Sequence, residues 1–129
     1  LEKAEHAAIA NQNQSDGRKE IVMKKPMTQT VSWVGKVDWD LLRFHGDEYS
    51  THKGSSYNSY VIEEEKTVLI DTVWKPYAKE FVDNLEAEGI PGRLDAVIAQ
   101  HAESDHSGAL PELLNRRPDL PVYCSTNGI

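Results

Sequence analysis

The chain has 129 residues, 39% of them apolar, a formal net charge of −7 and a single cysteine. That is enough for one domain with a modest core, and the negative charge speaks against nucleic acid or an anionic membrane surface as a partner. No apolar run approaches the roughly 20 residues that cross a bilayer. Residues 1–25 show no secretory segment, and one thiol permits no internal disulfide, which suits a cytoplasmic setting.

In chain order, residues 1–27 read as a flexible or helical N-terminal extension, and residues 28–129 as a folded unit. Residues 1–10 are helix-prone by composition but have no wide apolar face, and residues 11–17 read as a linker. His6 is expected to be solvated. Residues 28–34, with Val31, Trp33 and Val34, read as a strand. Gly35 to Asp38 reads as a hairpin connection, and residues 39–44 as the return strand, with Trp39 and Leu41 on one face. Residues 47–54 are polar and loop-like. Residues 57–62 form the next strand, Glu63, Glu64 and Glu65 a solvated turn, and residues 67–70 a β-branched strand returning antiparallel.

Asp71 closes that strand. Its carboxylate is suited to accept backbone hydrogen bonds at the junction, and equally to orient a ligating histidine from behind. Residues 76–88 carry the clearest helical pattern. Pro76 belongs in the first turn, Ala78, Phe81, Val82 and Leu85 make one apolar face, and Gly89 is the stop. Residues 94–100 read as a short buried strand.

Next comes the stretch His101-Ala102-Glu103-Ser104-Asp105-His106, with four metal-ligating side chains in six residues. An extended backbone would turn His101, Glu103 and Asp105 to one side. His106 reaches that side only if the chain turns. Two imidazoles and carboxylates without a thiol favour iron, manganese or zinc over calcium, Cu(I) or an iron–sulfur centre. A helix is expected to start at Ser107 or Gly108, with Leu110, Leu113 and Leu114 facing inward. Residues 121–124 make a last strand in which Cys124 is a buried small hydrophobe.

The His-x-Glu-x-Asp-His pattern resembles the first metal motif of the metallo-β-lactamase fold. Most hydrolases of that fold have His where Glu103 stands, and the glutamate is similar to the flavodiiron proteins. Trp33-Val34-Gly35, Asp38-Trp39, Phe44-His45-Gly46, Tyr49, Gly54-Ser55-Ser56-Tyr57-Asn58-Ser59-Tyr60 and Leu69-Ile70-Asp71-Thr72-Val73 agree with that family over residue 30 to the end. The match resembles most its flavorubredoxin branch of anaerobic nitric oxide reductases.

The resemblance implies a layered α/β fold, the N-terminal half of an αββα sandwich. It implies that His101 and Glu103 bind one iron of a diiron pair and Asp105 the other, with His106 and Asp71 behind the ligands. A further His, a bridging Asp and a last His would come from the second half of such a domain; His45 and His52 lie too far upstream to match. FMN in a flavodoxin-like domain, a rubredoxin-like electron donor, and nitric oxide or dioxygen as substrate are implied for the complete enzyme.

On this reading the chain is an N-terminal fragment or truncated product, inactive alone. Half a sandwich would leave apolar sheet exposed, with Trp33, Val61, Leu69 and Val97 as candidates, and a homo-oligomer would cover it. The rival readings are a zinc-dependent hydrolase of the same fold and a non-catalytic remnant.

Overall fold

The computed structural model describes residues 24–44 and 48–128. The readings of residues 1–17, with His6, and His45 lie outside them. Among these residues stand ten short strands and three α-helices, in the order β1 (Lys25–Pro26), β2 (Val31–Trp33), β3 (Lys36–Asp38), β4 (Arg43–Phe44), β5 (Tyr49–Ser50), β6 (Ser55–Tyr57), β7 (Tyr60–Glu63), β8 (Thr67–Ile70), α1 (Ala78–Ala87), β9 (Ala96–Ala99), α2 (Ser104–Ser107), α3 (Leu110–Arg116) and β10 (Val122–Cys124). The main sheet runs in the order β1-β2-β7-β8-β9-β10, and β3–β6 and β4–β5 are separate two-stranded ladders. β1 lies ahead of the expected boundary at residue 28 and pairs antiparallel with β2.

The sheet changes character along its width. β2, β7 and β8 pair antiparallel. β8, β9 and β10 pair parallel, because α1 and then α2–α3 carry the chain back between them, as parallel strands require. Three strands therefore end at one edge, the customary place for a site in open α/β sheets.

α1 follows a 3-10 turn over Lys75–Tyr77, which takes Pro76 in its opening turn. Its buried residues are Phe81, Val82 and Leu85, the face that the 3.6-residue spacing marks. Gly89 ends it at φ 66°, a left-handed conformation in which glycine meets no β-carbon penalty. Leu113 of α3 is fully buried, with Leu110 and Leu114 packed against the same core.

Val61, Leu69 and Val97 stand in register across β7, β8 and β9. All three are fully buried in the core shared with Phe81, Val82, Leu85 and Leu113. This corrects their expected place on an open sheet surface. Alternation separates two faces of a strand, but only the helices decide which face is covered. The other row is Trp33, Tyr60, Ile70, Ile98 and Tyr123, in which Ile98 is 38% and Tyr123 63% exposed.

Four further expectations change. Lys36–Asp38 is not a hairpin connection but a strand, paired with Ser55–Tyr57. The run 57–62 breaks at Asn58 and Ser59, so that its two parts pair in different sheets. Residues 39–44 contribute only the two-residue β4 to a ladder with β5, and Trp39 is 70% exposed. Cys124 is exposed, not buried, because β10 is the edge strand, with a neighbour on one side only.

Candidate metal centre

The four metal-ligating side chains follow β9, and the backbone there does not stay extended. Glu103 has φ −62° and ψ 146° and stands just before α2, which begins at Ser104. A separate short helix thus precedes the expected one, which is α3 and begins at Leu110 rather than at Ser107 or Gly108. The Ser107 hydroxyl donates to the Ala102 and Glu103 carbonyls at 2.9 and 3.0 Å, tying the turn to the helix. His101 and Glu103 lie on the extended part, whereas Asp105 and His106 lie on the helix.

The turn brings the imidazoles together. The His101 and His106 rings are 4.7 Å apart between centroids. His101 Nδ1 lies 3.6 Å from a Glu103 oxygen, and His106 Nε2 lies 3.7 Å from an Asp105 oxygen. The donors therefore meet in pairs, one nitrogen with one carboxylate in each. Among the described residues, no group of three or more His, Cys, Asp or Glu side chains is assembled to hold a metal ion. The donor chemistry fits iron or zinc, and each pair fits as part of a coordination shell but not as a whole one. His101 and Glu103 are 56% and 67% exposed, so their outer sides are open to further donors. His52 belongs to the β5–β6 connection.

Behind the pairs stands Asp71, 4% exposed and held at φ 55°, the one non-glycine positive φ among the described residues. Its carboxylate accepts the Gln100 backbone N–H at 2.7 Å and the Gln100 side-chain amide at 3.4 Å. The same carboxylate lies 3.1 Å from His106 Nδ1. An ionised carboxylate only accepts hydrogen bonds. It therefore favours the His106 tautomer with the proton on Nδ1, leaving Nε2 as a free donor atom beside Asp105. One carboxylate thus contacts both the Gln100 backbone and the His106 ring.

Thr72 extends the clamp. Its N–H and hydroxyl both donate to the His106 carbonyl, at 2.7 and 2.8 Å, and its oxygen accepts the Ala109 N–H at 3.2 Å. The Ser59 hydroxyl donates to the Asp71 carbonyl at 2.9 Å. The end of β8 thereby fixes where α2 begins, from opposite sides of one histidine. The parts played by Gln100, Thr72 and Ser59 have no signal in the local sequence, because each depends on a partner at least 12 residues away.

Three hollows border the turn. One, of about 490 Å³, is lined by Leu41, Arg43, Phe44, Tyr57 and Trp74 together with Glu103, Ser104 and Asp105. Another, of about 390 Å³, has His101, Leu110, Leu114 and Cys124 among its walls. Glu103 and Asp105 line the first, His101 the second, and His101 and Glu103 together a third, of about 470 Å³, beside Asn127, so the turn is reachable from more than one side.

The chain matches the family model of the metallo-beta-lactamase superfamily over residues 52–128. It is 54% identical over 99 residues to the anaerobic nitric oxide reductase flavorubredoxins of Pectobacterium atrosepticum and Aeromonas salmonicida, in each case over 77% of this chain and 19% of the relative. The chain thus spans about a fifth of the length of these relatives. Among solved structures, the flavodiiron protein from Giardia intestinalis matches with a TM-score of 0.73 at 36% identity, over 83% of this chain and 26% of that one. The rubredoxin oxygen:oxidoreductase from Desulfovibrio gigas matches with a TM-score of 0.73 at 33% identity, over 81% and 26%. By sequence and by fold, the chain belongs to the metallo-beta-lactamase superfamily, and its kinship there is with the flavodiiron proteins.

Proposed function

We propose that this chain supplies the first ligand segment of a diiron oxidoreductase that reduces nitric oxide to nitrous oxide, dioxygen to water, or both. The observation that carries the reading is the His101–Glu103 pair at the carboxyl edge of the sheet, nitrogen 3.6 Å from carboxylate oxygen. His101 and Glu103 hold one iron, and Asp105 the other. Asp71 positions the His106 ring from behind, with His106 itself outside the ligand set. Iron held by these residues would supply the electrons for the reduction. Glu103 brings a negative charge where histidine would bring none, which favours the higher oxidation state and redox chemistry over hydrolysis. FMN would supply the electrons that restore the site, a rubredoxin-like protein is the electron donor, the protein works in the cytoplasm, and it assembles with copies of itself. Among the described residues no helix is long and apolar enough to cross a membrane.

Anaerobic titration of the chain with Fe(II), followed by calorimetry, tests the ligand assignment. The expected result is weak binding, below one iron per chain, lost in His101→Ala and in Glu103→Ala. Binding that survives both replacements overturns it. Competition with zinc separates the redox reading from the hydrolase: preference for zinc by the unaltered chain would count for hydrolysis.

A further inference from the structure

Gly108, which caps the end of α2, has no conformational reason to be a glycine. Its φ of −61° and ψ of −28° are right-handed helical, a conformation open to any L-residue. The reason is space. A β-carbon there would stand 2.3 Å from the Lys75 backbone nitrogen and 2.9 Å from the Lys75 α-carbon, well inside the roughly 3.5 Å at which non-bonded atoms rest. Both obstacles are main chain, so no side-chain rotation removes them. By contrast, a β-carbon at Gly92 would meet nothing within 4 Å.

Lys75 belongs to the run that holds the ligand turn from behind. Asp71 lies 3.1 Å from His106 Nδ1. Thr72 donates twice to the His106 carbonyl and accepts the Ala109 N–H. Residues 71–75 and 106–109 therefore lie along each other, and at Gly108 main chain meets main chain. Trp74, in the same run, walls the hollow that Glu103, Ser104 and Asp105 line.

We propose that Gly108 is a positioning residue for the ligand turn: its bare α-carbon lets α2 seat on the Lys75 backbone, close enough for His106 to reach both Asp71 and the His101 ring. This rests on the diiron reading of His101, Glu103 and Asp105. A methyl group at position 108 forces one of the two segments to move. The run 71–75 is tied into the sheet, because the Asp71 N–H donates to the Ile98 carbonyl at 2.9 Å and Val73 is fully buried. No residue of α2 is buried. The helix therefore gives way, carrying Asp105 and His106 from Asp71 and from His101, which stands ahead of it. The hollow beside Trp74 widens by the same movement.

The test reads the metal-free chain by NMR at one fixed pH. Two signals report the seat: the hydrogen-bonded Nδ1 proton of His106, and the cross-peak between the His101 and His106 rings, whose centroids are 4.7 Å apart. Gly108→Ala should lose both while its backbone amide spectrum stays that of a folded chain. Gly92→Ala should keep both, and so should Leu85→Val, which lowers stability in the core on α1. A folded Gly108→Ala with both signals intact overturns the proposal. So does their absence from the unaltered chain, or their loss in either control, since instability or any added methyl would then explain the effect. If Gly108→Ala unfolds in buffer, trimethylamine N-oxide, which favours the compact state, is added to every chain. Unfolding that persists there makes Gly108 a requirement of the whole fold and overturns its assignment to the turn. Because no metal is present, a failed iron titration leaves this result standing, and the reverse holds too.

Discussion

Three donor groups converge on Asp71, and that convergence keeps its backbone in a conformation worth about 1–2 kcal/mol of strain for an L-residue. Asp71→Ala leaves the Gln100 N–H without its acceptor and the strain without its compensation. The expected loss is about 2–3 kcal/mol in urea unfolding. Asp71→Asn, which retains one acceptor oxygen and tolerates positive φ better, should cost less than half as much. Equal losses would mean that charge, not acceptance, matters at this position. Glu103 behaves differently, because it is 67% exposed and outside the core. Glu103→His should leave the unfolding midpoint where it is. It should also shift metal preference from iron toward zinc in a competition titration, since an imidazole replaces a hard anionic donor.

At the scale of elements, the positions that punctuate the chain were legible, as was the antiparallel return of β8 on β7, but the longer-range pairings were not. Gly89 is the clearest sign. A β-carbon added there would meet no atom within 4 Å, so Gly89→Ala should cost only the conformational term, about 1 kcal/mol, read from thermal unfolding. The α1 face was equally plain, because Phe81, Val82 and Leu85 need only their own spacing to declare it. By contrast, β3 pairs with β6 across 17 or more residues, and nothing in Lys36-Val37-Asp38 announces a partner. The ligand turn was visible as chemistry, but its early entry into α2 depends on Thr72 reaching the His106 carbonyl. Glu63 shows the same non-local character. It was read as part of a solvated turn, yet it ends β7 and pairs with Lys24 and with Arg93. Those partners, Lys24 first, hold its carboxyl below the ordinary 4.5. Its contribution is complete above that ordinary value and is lost as the pH falls through the lower folded value. Glu63→Gln should therefore destabilise the chain at pH 7 and flatten the acid limb of its stability curve. An unchanged acid limb would discount the cluster.

For the whole molecule, one sheet face is packed under helices and the other carries Trp33, Tyr60, Ile70, Ile98 and Tyr123 in a row. An apolar row of that kind promotes association, while a net charge of −7 opposes it. Sedimentation at micromolar concentration is expected to show concentration-dependent dimers. Tyr123→Lys should return them to monomers without loss of secondary structure, whereas Val97→Lys, in the covered row, should abolish folding. A monomer unaffected by concentration would remove the association from the account.

The exposed Cys124 affects how such measurements behave in air. A lone thiol on an edge strand can form a disulfide only with another molecule, so storage without reductant would link chains in pairs at that sulfur. Such pairs would sediment as dimers whatever the apolar row contributes, and would also narrow the hollow that Cys124 shares with His101. Covalent pairing is reversed by dithiothreitol and absent in Cys124→Ser; association through Tyr123 is indifferent to both.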